Sequence, residues 1–352
     1  MLQIICSPVI AACTPPSNDY KMEPSNRLIP PHLNAETYRM ETSGTYTHAY
    51  LDFVRVHKDG HILVGCSELT GRYWNGGACI LPNDQESDFQ KTNFKRDINL
   101  ASTTADGCFS GSSDKVILCE DTGAISIWSK SEDAWSTWKE DLSVAEHDGP
   151  ALVIECLDSD RLYVSAGGDG NVKVWDIRDN MICLRNYNSA HSMQVNTIGV
   201  KPMSQKHFVT GSLDGFISVW DEHTNKPVYD VIENNCGVRC LLWIEENKLL
   251  FGDESGQLSL IDLRDSKNAI KLHEFPAPVH RIAFNPRSSN IAVCCDNQIL
   301  SVFHIDGEKL NLVYERKAHQ DCIRGLAWDE SEPNALHTVG WDGELKKHII
   351  IE

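Results

Sequence analysis

Three sets of a histidine, a hydroxyl residue and an aspartate recur along the chain at nearly the same spacing. Each histidine stands 22 or 23 residues before an aspartate, and a serine or threonine precedes that aspartate by four residues. Such residue types are the ingredients of a nucleophilic triad, in which a histidine activates a hydroxyl and an acid orients the histidine. The three sets are His147, Ser165 and Asp169; His191, Thr210 and Asp214; and His319, Thr338 and Asp342.

The repetition of these sets argues against catalysis. A catalytic set occurs once in a domain, whereas a structural set recurs with each repeat. We therefore interpret the sets as a buried network that fixes strands to turns, and we predict that the chain is not an enzyme. We also predict no cofactor and no metal site, because the 13 cysteines are irregularly spaced and no C-x-x-C pair recurs.

The elements that must position these sets are short strands joined by tight turns. The turn positions are residues 71, 123, 170, 215, 256, 298 and 343, which lie 41 to 52 residues apart. Most of them are glycines, which supply the positive φ of a tight hairpin, and an alternating strand follows. Trp175 and Trp220 stand five residues after their turns, where Ile261 and Phe303 replace tryptophan in two later copies. This spacing is typical of four-stranded blades and predicts an all-β, seven-bladed β-propeller.

The last blade is expected to be closed by the other end of the chain. Its third strand, ELKKHIII, is followed directly by Glu352, so this blade still needs an outer strand. An unpaired strand edge favours aggregation, and we predict that residues 35–41 (AETYRME) supply the missing strand. We assign residues 34–352 to the propeller. Residues 1–33, which contain repeated prolines, are predicted to form a flexible arm.

The charge of the chain limits its partners. The formal net charge is -18, which disfavours direct binding to nucleic acid and favours basic partners such as arginine-rich tails. The apolar N-terminus lacks a positive region and contains Pro8, so we expect no signal peptide. We also expect no membrane-spanning segment, and reduced thiols are typical of the cytoplasm and nucleus, where we place the protein.

Blade one departs most from the repeat. After Gly71 the sequence RYWNGGACIL carries about four more residues than the other blades before its strand pattern resumes. The Asn-Gly-Gly run favours a turn, which would place Trp74 on or beside a protruding hairpin. An exposed tryptophan beside Arg72 has the composition of a binding hot spot. The alternative is that Trp74 folds back onto the blade as part of its core.

The chain resembles the WD-repeat family. Trp175-Asp176 and Trp220-Asp221 match the dipeptide that names the family, and the three histidine sets stand where its repeats place them. The resemblance implies that each histidine binds its aspartate and its strand hydroxyl, with a tryptophan beneath. It covers roughly residues 45–352.

Three segments are similar to the WD-repeat subunits of methylosomes. They are VGCSELTGRYWNGG (64–77), LLFGDESGQLSLIDLR (249–264) and HTVGWDGELKKHIII (337–351). This resemblance implies a scaffold that binds a protein arginine methyltransferase, the enzyme that makes symmetric dimethylarginine, in a hetero-oligomer. It implies that the blade-one loop binds the enzyme, and the residues are Gly71, Arg72, Tyr73, Trp74 and Asn75. It also implies arginine-rich substrates such as histone tails or spliceosomal proteins.

A general adaptor is the alternative function. Receptors of ubiquitin ligases often carry a W-D-x-R element on their propellers, and residues 175–178 have that sequence. The alternative therefore comprises a substrate receptor of a ubiquitin ligase or a scaffold of a chromatin complex.

Overall fold

The computed structural model describes residues 50–70, 73–82, 96–131, 137–158, 161–204, 206–224, 226–265 and 269–351. Two units are distinguished along the chain, residues 1–45 and 46–352, and every described residue belongs to the second. The predicted arm, its boundary at residue 34 and the predicted closing strand over residues 35–41 all lie outside the described residues. These three assignments stay predictions.

The described residues form seven antiparallel sheets in which consecutive strands pair. The first sheet contains β1 (Tyr50–Val56), β2 (Ile62–Thr70), β3 (Tyr73–Leu81) and β4 (Ile98–Leu100). The second contains β5 (Thr104–Ser110), β6 (Ser112–Glu120), β7 (Ala124–Lys130) and β8 (Trp138–Ala145). The third contains β9 (Ala151–Asp158), β10 (Leu162–Gly167), β11 (Val172–Asp176) and β12 (Ile182–Tyr187).

The remaining sheets repeat the same order. The fourth contains β13 (Val195–Val200), β14 (His207–Ser212), β15 (Phe216–Asp221) and β16 (Tyr229–Glu233). The fifth contains β17 (Val238–Glu245), β18 (Lys248–Asp253), β19 (Gln257–Asp262) and β20 (Ile270–Glu274), with the short 3-10 helix η1 (Leu263–Asp265) after β19. The sixth contains β21 (Val279–Asn285), β22 (Asn290–Cys295), β23 (Ile299–Asp306) and β24 (Lys309–Lys317). The seventh contains β25 (Ile323–Trp328), β26 (Ala335–Gly340) and β27 (Leu345–Ile349).

The sheets are arranged as a closed ring of blades. The first strand of each blade contacts the first strand of the next, from β1 through β5, β9, β13, β17 and β21 to β25, and β25 contacts β1 in turn. The prediction of an all-β, seven-bladed propeller is therefore confirmed. These first strands surround the central channel, and they contribute most of the residues that line its cavities.

The core lies between neighbouring blades. Trp220 of blade four packs with Val153 and Val164 of blade three, and Val54 of blade one packs with Val339 of blade seven. Fully burying an aliphatic side chain of this kind contributes about 1.5–3 kcal/mol, so each blade stabilises its neighbours around the ring. The cysteines that the structure describes form no disulfide with one another, and most of them are buried.

Blade seven is one strand short in the described part of the chain. Its sheet consists of β25, β26 and β27, and the outer edge of β27 carries no strand among the described residues. The sequence predicts a blade that lacks its outer strand here, and the segment that supplies that strand stays a prediction.

Blade one has an extended hairpin. The pairing of β2 with β3 runs without a break from Ile62 with Leu81 to Thr70 with Tyr73. Each of these two strands has nine residues, whereas the corresponding strands of blades three and four have five or six. The additional residues of the blade-one insert therefore lengthen the two strands. Among the described residues, no helix has the length and apolar character that crossing a membrane requires.

Candidate functional site

The histidine set of blade three forms a closed hydrogen-bond network. His147 Nδ1 lies 3.0 Å from Asp169 Oδ2, and His147 Nε2 lies 2.8 Å from Ser165 Oγ. Because a carboxylate only accepts hydrogen bonds, Nδ1 carries the proton and Nε2 accepts the serine hydroxyl proton. Trp175 Nε1 donates to the same Ser165 oxygen at 2.8 Å. The network joins the loop before β9 and the β10–β11 turn to two strands, β10 and β11, so the loop, the turn and the sheet are fixed together.

The same network recurs in blade four. His191 Nδ1 lies 3.1 Å from Asp214 Oδ2, and its Nε2 lies 2.7 Å from Thr210 Oγ1. Trp220 Nε1 donates to that threonine oxygen at 2.8 Å. Two blades thus carry the arrangement that the family resemblance implied.

Blade seven replaces the tryptophan with a histidine. His319 lies 2.9 Å from Asp342 and 2.7 Å from Thr338 Oγ1, as in the other two blades. His348 Nε2 then takes the place of the indole, 3.0 Å from Thr338 Oγ1, and its Nδ1 lies 3.3 Å from the hydroxyl of Tyr314. Since His319 accepts the threonine proton, His348 donates through Nε2 and accepts from the tyrosine through Nδ1.

The networks are structural because their hydroxyls are inaccessible. Ser165 and Thr210 are fully buried, and each oxygen already has both a histidine and an indole as partners. Burial alone would raise the pKa of Asp169, but hydrogen bonds from His147 and from backbone amides lower it to about 2. The carboxylate is therefore held in its charged form by the groups that it joins.

Blades five and six have apolar side chains at the hydroxyl and tryptophan positions of the network. In blade five the hydroxyl position is Phe251 and the tryptophan position is Ile261, and both are buried in one core cluster. In blade six the equivalent residues are Val293 and Phe303, which share another cluster. Replacing both partners of a buried hydrogen bond leaves no polar atom unsatisfied, so the substitution is compatible with the fold.

One group of side chains brings together ligand atoms of the kind that metals use. These residues are His319, Asp342 and Glu344. Both ring nitrogens of His319 are already occupied, by Asp342 and Thr338, and Glu344 lies 2.7 Å from Lys346 Nζ. The cluster is accounted for by the blade-seven network and an ion pair.

Exposed aromatic side chains gather where blade seven meets blade one. The indole of Trp74 is 49% exposed on β3, Tyr50 at the start of β1 is 39% exposed, and Trp341 in the β26–β27 turn is 38% exposed. The Tyr50 ring centroid lies 6.3 Å from that of Trp74 and 6.2 Å from that of Trp341. We call these three residues the aromatic patch. The turns that join the second and third strands of the blades lie at this end of the sheets, which we call the turn face.

Trp341 is held in place from two sides. Its Nε1 donates to Asp52 Oδ1 at 3.1 Å, and the guanidinium of Arg324 lies over its ring at 4.4 Å from the centroid. Burial raises the pKa of Asp52 to about 6, against the lowering effect of its hydrogen bonds with Ser67 and Trp341. An aromatic ring that is both exposed and fixed is suited to contact a partner, because little side-chain entropy is lost on binding.

Three of the predicted partner-binding residues, Tyr73, Trp74 and Asn75, are described, and they begin β3 of blade one. Trp74 pairs with Leu69 on β2, next to the Thr70–Tyr73 pair at the end of the described hairpin. Asn75, the next residue on β3, is partly exposed. Gly71 and Arg72 lie outside the described residues. The exposure of Trp74 contradicts the alternative that it is part of the core, while its role in binding stays a prediction.

Two segments match a known family. Residues 140–176 and 181–221 match the WD domain, G-beta repeat family. In these two segments the chain is similar to WD-repeat proteins, and its fold is a seven-bladed β-propeller. It is 27% identical over 305 residues to "Methylosome protein WDR77" of Xenopus laevis, an alignment that covers 84% of this chain and 88% of that protein.

More distant relatives support the fold. The propeller is 24% identical over 207 residues to "Guanine nucleotide-binding protein subunit beta-1" of Nicotiana tabacum, covering 54% of this chain and 53% of that protein. A chain in the solved structure "Crystal Structure of Mitotic Checkpoint Complex" has a TM-score of 0.65 at 16% identity, with coverage of 88% of this chain and 90% of that chain.

Sequence reasoning missed two members of the aromatic patch. Trp341 directly precedes the turn aspartate of blade seven, where blades three and four have Gly168 and Leu213. That unusual residue was the available signal. Tyr50 gave no signal of its own, since an aromatic residue at the start of a strand is equally compatible with the core.

Proposed function

We propose that this WD-repeat propeller is a non-catalytic scaffold subunit of a protein arginine methyltransferase complex, and that the aromatic patch binds the enzyme. The observation that carries the proposal is the exposure of Trp74 on the extended hairpin of blade one, beside Tyr50 and Trp341. The similarity to a methylosome protein over most of both chains supports the choice of partner.

Trp74 has the properties of a central anchor. Tryptophan is enriched among the residues that dominate binding energy, and these residues lie in a patch whose neighbours exclude water. Tyr50 provides such a neighbour, since its ring lies 6.3 Å from that of Trp74. In this arrangement the indole enters an apolar pocket of the enzyme, while Arg72, two positions before Trp74 in the sequence, pairs with a carboxylate of the enzyme.

Size-exclusion chromatography of the Trp74→Ala variant with the methyltransferase tests the anchor. Removing a hot-spot tryptophan weakens binding by about 2 kcal/mol or more, which corresponds to about thirtyfold in the dissociation constant. At low micromolar concentration we expect the variant to elute apart from the enzyme. Leu312→Ala is the matched control, because Leu312 is a similarly exposed apolar side chain on the outer strand β24 of blade six.

One result of the size-exclusion experiment would exclude the anchor role of Trp74. Co-elution of Trp74→Ala with the enzyme, as complete as that of the Leu312→Ala control, would exclude the anchor role. Circular dichroism of both variants establishes that each is folded before the columns are compared.

The second part of the proposed function concerns substrates. A net charge of -18 raises the local concentration of arginine-rich tails, such as those of histones or spliceosomal proteins, near the bound enzyme. Methylation leaves the charge of arginine in place, so electrostatic capture also slows the release of product. S-adenosylmethionine, the methyl donor, is bound by the enzyme in this scheme.

Methylation of an arginine-rich peptide at increasing salt tests the presentation of substrates. The rate with the propeller is compared with the rate of the enzyme alone. We expect the stimulation to decline as the Debye length falls from about 10 Å at 0.1 M salt to about 3 Å at 1 M salt. A stimulation that is independent of salt would contradict electrostatic presentation.

The alternative function is that of a substrate receptor of a ubiquitin ligase. It is suggested by the W-D-x-R sequence of residues 175–178. In the structure Arg178 donates to Asp176 at 3.1 Å, and Arg264 forms the same kind of pair with Asp262. Both arginines are exposed, so they are accessible to an adaptor. Affinity purification with mass spectrometry distinguishes the two functions: an arginine methyltransferase as the dominant partner supports the first, and a cullin adaptor supports the second.

The proposed complex would act in both the cytoplasm and the nucleus. This proposal agrees with the free thiols of the described cysteines, which are typical of reducing compartments. Fractionation of cells that express the tagged chain tests it, and recovery from the secretory pathway would contradict it.

A further inference from the structure

The loops that join the first and second strands of the blades lie at the end of the sheets opposite the turn face. We call this end the loop face. A cavity of about 950 Å³ opens there between blades four, five and six, and apolar side chains from all three blades line it. Among them are Met203, Trp243, Ile244 and Phe284. Exposed apolar surface with a polar rim marks a site of interaction in soluble proteins.

Met203 stands at the edge of this cavity with a strained backbone. Its φ is 60°, in the left-handed region that residues with a side chain disfavour. The loop around it is nevertheless fixed, because Ser204 N donates to the Lys201 carbonyl at 3.1 Å and Ser204 Oγ lies 2.9 Å from His207 Nδ1. The Met203 side chain is fully exposed. A strained residue that its surroundings hold in place is typical of a functional site.

A second cavity lies on the other side of the same loop, toward blade three. Its volume is about 640 Å³, and it shares Lys201, Met203 and Ser204 with the first cavity. Both charged side chains that line it are lysines, Lys201 and Lys206. The loop of Met203 therefore separates an apolar cavity from a basic one.

The charge that is available to a partner at this loop is positive. Glu245 lies 2.9 Å from Lys248, and Glu246 lies 3.6 Å from Lys201, so both carboxylates near the apolar cavity have a cation beside them. Lys206 is exposed and forms no ion pair with any residue that the structure describes. An acidic group of a partner would therefore complement the loop better than a basic one.

We propose that the loop face binds a partner segment in which an apolar side chain and an acidic side chain stand two positions apart. The apolar side chain enters the 950 Å³ cavity beside Met203, and the carboxylate binds the ammonium group of Lys206. Side chains two positions apart in an extended segment point to the same side and lie about 7 Å from each other. This spacing suits two cavities that adjoin across one loop. The site lies at the opposite end of the sheets from the aromatic patch and goes beyond the proposed function.

Fluorescence anisotropy of the full chain with a labelled peptide of the repeat Leu-Ser-Glu-Ser tests the site. We expect saturable binding, and we expect none when serine replaces the leucines. A peptide with lysine in place of glutamate is attracted by the net charge of -18 at any part of the surface, so its binding reports on the acidic exterior alone.

Met203→Asn tests the apolar half of the site. Asparagine tolerates the left-handed backbone, so the change removes the apolar side chain without adding strain. We expect it to weaken binding of the Leu-Ser-Glu-Ser peptide by about tenfold, as for the loss of a buried apolar contact. Met193→Asn is the matched control, because Met193 is an exposed methionine of the same blade at the turn face, before β13.

Lys206→Gln tests the acidic half of the site. We expect it to weaken binding of the same peptide by about threefold to fivefold, the range for an exposed ion pair, and to leave binding of the lysine peptide unchanged. Lys226→Gln is the control, because Lys226 is an exposed lysine of the same blade that lines neither cavity. Since all four side chains are exposed, the variants should fold, and circular dichroism checks this.

Any of three results would overturn the proposal. The first is a lack of saturable binding of the Leu-Ser-Glu-Ser peptide. The second is binding to Met203→Asn or to Lys206→Gln that equals binding to the matched control. The third is self-association of the full chain in sedimentation velocity that Met203→Asn abolishes, because a second copy would then occupy this surface. The methyltransferase is absent from these measurements, so their failure would leave the proposed function unaffected.

Discussion

At the residue scale, the surroundings of the Ser165 hydroxyl decide what the His147 set does. A nucleophilic serine needs a free path to a substrate, and its histidine must be able to pass the proton on. Ser165 is fully buried and is bound to both His147 Nε2 and Trp175 Nε1. The same residue types that resemble a triad in the sequence therefore form a link between a turn and a sheet.

Ser165→Ala should destabilise the fold. The change leaves the Trp175 indole and the His147 ring without their shared partner, and a buried unsatisfied polar group costs about 1–3 kcal/mol. Urea denaturation should show a lower midpoint with an unchanged slope. Ser112→Ala, at an exposed serine on β6, is the control and should unfold as the unmodified chain does. Equal midpoints for the two variants would contradict the structural role.

The acid stability of the propeller should depend on Asp169. Its pKa in the folded chain is about 2, below the ordinary value of 3.8. A lowered pKa of an acid stabilises the fold above the ordinary value, and this contribution is lost as the pH falls through the folded value. Asp169→Asn should therefore be less stable at neutral pH and should lose less stability between about pH 4 and pH 2.

Thermal denaturation across this pH range provides the measurement. Asp179→Asn, at an exposed aspartate of the same blade, is the control and should follow the unmodified chain. A pH profile of Asp169→Asn that parallels that of the control would show that the blade-three network does not hold this carboxylate in its charged form.

At the element scale, the turns explain which parts of the fold the sequence could predict. Gly123, Gly170, Gly215, Gly256 and Gly343 all have positive φ, and they are five of the seven predicted turn positions. A residue type that meets the same local requirement in each blade gives a periodic signal, so blade number and strand order could be predicted. The hydrogen-bond partners of the three histidine sets recur with the same period.

The aromatic patch could not be predicted in this way, because it depends on closure of the ring. The hydrogen bond from Trp341 to Asp52 joins residues that are 289 positions apart. No local pattern connects such residues, and only the contact between β25 and β1 brings them together. The insert of blade one was recognisable in the sequence, but the sequence did not show which side chains lie beside Trp74.

Gly215→Ala should destabilise the fold more than Gly307→Ala, although both glycines have positive φ. A methyl group at Gly215 would lie 2.5 Å from the carbonyl oxygen of Asn234, whereas at Gly307 it would meet nothing within 4 Å. Both changes force a left-handed conformation, which costs about 1–2 kcal/mol for a residue with a side chain. Only Gly215→Ala adds the steric conflict with the backbone.

Chemical denaturation of the two variants measures the difference. We expect the free energy of unfolding to fall in Gly307→Ala by the conformational cost alone. In Gly215→Ala it should fall clearly further, because the steric conflict is added. Equal decreases in the free energy of unfolding would show that the turn of blade four can move away from the Asn234 carbonyl. The position of this turn would then not be important for the stability of the blade.

At the scale of the whole molecule, the ring combines an acidic exterior with a basic wall at the channel mouth. The chain has 50 acidic and 32 basic residues, yet three arginines lie together in the channel mouth. The arginine-rich substrates of the proposed function would therefore be attracted by the net charge of the chain and not by the channel mouth.

The ring also has an incomplete blade, and its closure gives the last prediction. The outer edge of β27 carries no strand among the described residues, and Ile349 and Ile351 near this edge are 52% and 78% exposed. If residues 35–41 cover the edge as predicted, a chain without residues 1–33 should keep the strand and unfold at the temperature of the full chain. A chain without residues 1–41 should unfold at a lower temperature and should aggregate through the free edge. Differential scanning calorimetry with light scattering compares the two truncations, and identical behaviour would show that another segment closes blade seven.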